Sequence, residues 1–265
     1  SYLRAAMERD ARIKIVFRET NGHISQASNS ALPLAKGEFV ALMDNDDILP
    51  AHALAHIVIA INENPAVEII YSDEDKIDER GLRYEPYFKS DFNYELFLAQ
   101  NMISHLGVYR RSTIESVGGF RVGFEGAQDW DLALRVLDTV GADKVVHIPR
   151  VLYNWRAFEG STALASDEKP YVYAAQKRAV QEHLERRGID ASVNAIPENR
   201  GLLRVKFAVV GNPKISIVIP TKNKVELLET CVSSILKKST YQNYEIIIVD
   251  NGSDAPGFVE TVTPR

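Results

Sequence analysis

The apolar run Phe39-Val40-Ala41-Leu42-Met43 ends abruptly in Asp44-Asn45-Asp46-Asp47 and resumes at Ile48-Leu49-Pro50. This juncture constrains the fold more than any other stretch of the chain. Such a run is the signature of a strand inside a layered α/β structure, and carboxylates at its end cannot be buried without a partner. At the carboxyl end of a strand in an α/β sheet, that partner is usually a ligand or cation held in the crevice. A hard divalent ion such as Mg²⁺ or Mn²⁺ takes oxygen ligands, often one or two carboxylates together with substrate phosphates. The four residues alone leave a second reading open, a polar turn that caps the helix starting near Ala51.

The surrounding pattern predicts an α/β fold with a mixed, mostly parallel sheet flanked by helices. Strands are expected at residues 13–17, 39–43, 67–71, 107–110, 145–148 and 151–155, and helices at 24–34, 51–62, 129–140 and 171–187, the last ending at Gly188. Residues 72–93 are polar and aromatic without a clear period and read as an ordered loop region. The pattern then restarts. Residues 215–219 form an apolar strand ending in Pro220-Thr221-Lys222-Asn223, residues 225–236 an amphipathic helix, and residues 244–249 a second apolar strand ending in Asp250-Asn251-Gly252-Ser253-Asp254. A unit of this size cannot cover both faces of its strands and needs another sheet to dock on.

Net charge is −5 over 265 residues, which disfavours nucleic acid as a partner. One cysteine, Cys231, precludes an internal disulfide framework, and its apolar neighbours predict a small core residue. No apolar run is long enough to span a bilayer and no signal peptide is visible. The first residue is Ser rather than Met, which suggests a fragment.

Several segments together identify a family resemblance. They are Asn21-Gly22-His23-Ile24-Ser25-Gln26-Ala27-Ser28-Asn29, the acidic cluster at 44–47, Tyr71-Ser72-Asp73-Glu74-Asp75-Lys76-Ile77-Asp78, Gly126-Ala127-Gln128-Asp129-Trp130-Asp131-Leu132, and His147-Ile148-Pro149 through Leu152-Tyr153-Asn154-Trp155-Arg156. In order and spacing they resemble family 2 glycosyltransferases with the GT-A (nucleotide-diphospho-sugar transferase, Rossmann-like) fold, particularly the tandem enzymes of bacterial O-antigen and surface-polysaccharide synthesis. Ile217-Val218-Ile219-Pro220-Thr221 and Val249-Asp250-Asn251-Gly252-Ser253 resemble the opening of such a domain. The family's opening elements therefore come last here. The expected organisation is a domain at 1–200 that lacks its first β-α-β, a linker at 201–213, and the opening β-α-β of a second domain at 214–265, docked on the first.

The resemblance implies an inverting, metal-dependent transfer of a sugar from a UDP- or dTDP-sugar to an oligosaccharide or lipid-linked acceptor. It assigns Asp46 as direct ligand of Mn²⁺ or Mg²⁺, with Asp44 contacting the metal or the ribose, and it leaves Asp47 to cap the next helix. Thr221, Asp250 and Asn21 would contact the donor nucleotide, with Gly22 and Asn29 as weaker candidates for the same pocket. Arg156 would clamp the diphosphate, followed by Ser161 and Thr162. Asp129 is assigned as the general base. Geometry adds that positions 129 and 131 of one helix lie about 160° apart around its axis, so both carboxylates cannot face one substrate. The alternative for both is a pair of first-turn acids that complement the helix dipole.

Asn154 stands where the family often has His, which puts a metal or phosphate contact there in doubt. His105 and His147 read as structural, the acidic run at 73–75 as a solvated loop on the acceptor side, and Gly118-Gly119-Phe120 as an acceptor-loop element or a plain turn. Two other function classes remain: a nucleotidyltransferase, disfavoured because residues 220–223 lack a glycine-rich triphosphate loop, and an inert sugar- or nucleotide-binding module. The resemblance places the protein in the cytoplasm, at the inner face of the bacterial cell membrane through a lipid-linked acceptor.

Overall fold

A computed structural model describes residues 2–157, 170–196, 199 and 201–254. The chain divides into two compact units, Ser1–Phe207 and Ala208–Arg265. The first unit holds α1 (Tyr2–Arg9), α2 (His23–Ala31), β1 (Phe39–Ala41), α3 (Ala53–Glu63), β2 (Ile69–Ile77), β3 (Arg83–Tyr87), α4 (Tyr94–Ala99), β4 (Val108–Arg110), α5 (Arg111–Ser116), α6 (Gln128–Val140), β5 (Val145–Arg156), α7 (Pro170–Arg186), β6 (Ala191–Ala195) and β7 (Leu203–Phe207). The second holds β8 (Ile215–Thr221), α8 (Val225–Lys238) and β9 (Tyr244–Asp250). No helix among the described residues is long and apolar enough to cross a membrane.

β2 is the spine of the central sheet. Its whole length pairs in parallel with β5, while β4 pairs antiparallel with its first residues and β3 antiparallel with its last. β1 is joined through β4, antiparallel. The sheet is thus mixed, and its longest ladder is parallel. β5 is one strand where the sequence suggests two. Pro149 cannot donate to a ladder, and the register slips there, with Ser72 opposite Ile148 but Asp73 opposite Val151.

Helices lie on both sides of the sheet. Tyr71, Phe97, Met102, Tyr109, Trp130, Leu134 and Leu184 belong to the larger core, which includes α6 and α7; Ile57, Val67, Ile70, Leu106 and Tyr153 form a smaller one with α3. In α6, the apolar positions at 130, 134 and 137 are all buried, as their helical spacing predicts. The hairpin of β6 and β7 occupies part of the stretch expected as linker and belongs to the first unit.

Residues 13–17 form no strand; Ile13, Val16 and Phe17 are exposed and have no ladder partners among the described residues. Residues 72–77 and 83–87 are strand rather than loop, and Asp73, Glu74 and Asp75 are buried rather than solvated. Each has found a partner: Asp73 accepts from Lys89 N–H (2.9 Å), Glu74 meets Lys89 Nζ, and Asp75 meets Arg83 Nε (2.6 Å).

The second unit is a parallel pair, β8 and β9, in register from Ile215 opposite Tyr244 to Thr221 opposite Asp250. One helix and two strands enclose little, so only Leu228 of α8 is buried. Cys231 is exposed rather than in a core, as are Val218, Leu227 and Ile247.

Candidate active site

The acidic loop after β1 is strapped to the end of β5. Ile48 and Asn154 exchange both backbone hydrogen bonds (3.2 and 2.9 Å). The Tyr153 hydroxyl accepts from Asp44 N–H (3.3 Å) and donates to Asp47 Oδ2, while Arg156 N–H donates to Asp47 Oδ1 (2.9 Å). Asp47 therefore does not cap the next helix. His52 occupies that position on α3, and Asp47 instead holds the loop to β5.

His105 comes to this loop from the segment between α4 and β4. Its ring stacks on Tyr153, with centroids 4.4 Å apart and planes 15° from parallel. Nε2 lies 3.6 Å from Asp44 Oδ2, and Nδ1 lies 3.3 Å from Glu74 Oε2. Burial works against a charge on this ring. The hydrogen bonds to Asp44 and Glu74, aided by the charges of Glu74 and Asp129, outweigh it and raise the His105 pKa to about 9. In return, the hydrogen bond to His105 lowers Asp44. Glu74 resists burial through His105 and Lys89 and is also lowered. Asp47, with burial dominant over its hydrogen bonds from Tyr153 and Arg156, is raised.

One ligand atom each from Asp44, Asp47 and His105 lies within 4.8 Å of the others, a spacing compatible with a single cation. Two carboxylates and an imidazole suit Mn²⁺ and similar ions. Asp46, expected as the direct ligand, is half-buried beside this trio and is not one of its members.

Asp129 stands at the first turn of α6 and accepts a hydrogen bond from Asn101 Nδ2 (2.7 Å). Burial raises its pKa, against the opposing charge of His105. Two residues on, Asp131 is completely buried and points elsewhere: Arg135 Nε (2.9 Å) and Arg121 hold it. The two acids therefore face different surroundings, as the helix period requires.

Thr221 and Asp250 are brought together as register partners at the carboxyl ends of β8 and β9. Asp250 Oδ1 accepts from Ser253 N–H (3.1 Å) and Oγ (2.5 Å), so the segment is also an ordered turn. Asn21 Oδ1 accepts from His23 N–H (2.9 Å) at the start of α2. Asn29 brackets Phe120, accepting from its N–H (2.8 Å) and donating to its carbonyl (2.7 Å), which fixes the turn at Gly118 and Gly119. The Arg156 side chain is exposed at the end of β5. Asn154 donates to Asp75 inside the sheet. Ser161 and Thr162 lie outside the described residues. His147 stacks on Tyr71, with Nε2 2.8 Å from Asp73.

Sequence reasoning missed His105, Glu74, Lys89 and Tyr153. Residues 72–76 are all polar and do not alternate, so no pattern extends the strand or draws Glu74 inward, and a lone histidine carries no pattern at all.

The chain matches Glycosyl transferase family 2 over residues 1–118 and 216–263 and belongs to that family. It is 45% identical over 254 residues to the uncharacterized protein y4gI of Sinorhizobium fredii (strain NBRC 101917 / NGR234), covering 95% of this chain and 28% of that protein. It is 37% identical over 256 residues to the O-antigen biosynthesis protein RfbC of Myxococcus xanthus, covering 96% of this chain and 20% of that one. The chain thus spans under a third of either relative. Among solved structures, a mannosyltransferase from Pyrobaculum calidifontis in complex with GDP-Man and Mn²⁺ is similar at a TM-score of 0.44 and 16% identity, covering 89% of this chain and 67% of that one.

Proposed function

We propose that this chain is part of an inverting, metal-dependent glycosyltransferase. Its donor is a UDP- or dTDP-sugar and its acceptor an oligosaccharide or lipid-linked saccharide of surface-polysaccharide synthesis, met at the inner face of the cell membrane. The observation that carries this reading is the convergence of Asp44, Asp47 and His105 at the end of β1 in a family 2 chain. Asp44, Asp47 and His105 would hold Mn²⁺ or Mg²⁺, with Asp46 free to turn to the same ion. When bound, the ion neutralises charge that develops on the departing diphosphate.

Asp129 takes the proton of the acceptor hydroxyl as its oxygen attacks the anomeric carbon. The bond from that carbon to the diphosphate oxygen breaks, and the nucleoside diphosphate leaves with the electron pair. Attack opposite the leaving group inverts the configuration. A raised pKa makes Asp129 a stronger base than an ordinary carboxylate, which suits it to this transfer. Thr221, Asp250 and Asn21 serve the nucleotide and Arg156 the diphosphate.

Calorimetric titration of UDP and dTDP, with and without Mn²⁺, tests this. Metal-dependent binding that is lost in both Asp44→Ala and Asp250→Ala is expected. Binding that ignores Mn²⁺, or survives both substitutions, contradicts it.

A further inference from the structure

Lys89 is a buried cation that the proposed reaction does not use. Its side chain has no exposed surface, so its ammonium requires partners for all three N–H groups. It has them: Glu74 Oε2 at 3.3 Å, the carbonyl of Ile103 at 3.1 Å and the carbonyl of His105 at 2.6 Å. Two of these three partners bear directly on His105. The carbonyl fixes the backbone from which the ring projects, and Glu74 faces ring Nδ1 at 3.3 Å, alongside the Ser104 hydroxyl at 3.2 Å. The other ring nitrogen, Nε2, faces Asp44.

A metal-ligating histidine is commonly oriented by a carboxylate on its second nitrogen, and losing such a partner costs about 10- to 100-fold in metal affinity. Here the carboxylate is itself held by an ammonium that also grips the histidine's main chain. We propose that Lys89 is a positioning residue: through Glu74 and the His105 carbonyl, it aims His105 Nε2 at the Asp44–Asp47 pair. This rests on the metal reading of the site given above.

Lys89 differs from a merely structural ion in that its effect must pass through His105. The test is a double-mutant cycle on the full chain, read as Mn²⁺ affinity by calorimetry with Mn²⁺ alone. Lys89→Met is expected to weaken Mn²⁺ binding about 10- to 100-fold in the native background and to add nothing in a His105→Gln background. Undiminished affinity in Lys89→Met, or an equal loss in both backgrounds, overturns the proposal. Circular dichroism confirms folding. If Lys89→Met does not fold, Glu74→Gln, which keeps the ammonium and the side-chain shape, carries the same comparison.

If the unsubstituted chain takes up no Mn²⁺, the metal reading fails by itself. The positioning role is then decided by nitrogen-15 NMR of the His105 ring. An Nδ1–H signal protected from exchange in the native chain and lost in Lys89→Met supports it, and an unchanged signal overturns it.

Discussion

Replacing Asp131 with alanine removes a carboxylate that touches both Arg121 and Arg135. Asp131 is 0% exposed and Arg135 is 9% exposed, so the pair is truly buried. The Arg135 guanidinium also donates to the carbonyls of Val117 (2.7 Å) and Gly119 (2.6 Å) and cannot swing out to water without abandoning them. Removing one partner of such a pair strands the other charge and costs about 3–5 kcal/mol. For a domain of this size each kcal/mol lowers the melting temperature by about 2–4 °C, so a fall of roughly 6–20 °C is expected.

Asp129→Asn makes the contrast. Burial raises the Asp129 pKa, so its charge at neutral pH opposes folding, and the amide is expected to melt no lower than the native chain while transfer is lost. Thermal and urea unfolding followed by circular dichroism measure both. A double variant, Asp131→Leu with Arg135→Met, should recover most of the Asp131→Ala loss, because the stranded charge is gone. A loss below about 1 kcal/mol for Asp131→Ala, or equal destabilisation by Asp129→Asn, would refute the division of roles between the two acids.

Two further outcomes follow from the same geometry. Because His105 carries its proton up to about pH 9, Mn²⁺ must displace it; binding at neutral pH should release about one proton, and affinity should rise with pH until about 9 and then level off. Calorimetry in buffers of different ionisation enthalpy counts the proton. Tyr153→Phe removes the hydroxyl that ties Asp44 to Asp47 and should destabilise the chain by about 1–2 kcal/mol, seen as a lower urea midpoint with an unchanged slope.

Much of this was legible in the sequence where the cause is local. The apolar spacing of Trp130, Leu134 and Leu137 marks α6, and the same period separates Asp129 from Asp131. The acids at the end of β1 stand out because a strand cannot bury them alone. The rest depends on partners distant along the chain. Asp73, Glu74 and Asp75 look like a solvated run until Lys89, His105, His147, Arg83 and Asn154 arrive from β3, β5 and the segments around α4 to pair with them. Residues 13–17 have strand composition but form no ladder among the described residues. Composition does not reveal whether a strand has a ladder partner.

The most direct test of the proposed metal site is pulsed electron paramagnetic resonance of Mn²⁺ added to the full chain. Nitrogen-14 modulation from a coordinated imidazole is predicted, and it should vanish in His105→Gln. Bound Mn²⁺ with no nitrogen modulation, or modulation that persists in His105→Gln, would contradict the placement of His105 beside Asp44 and Asp47 as a ligand.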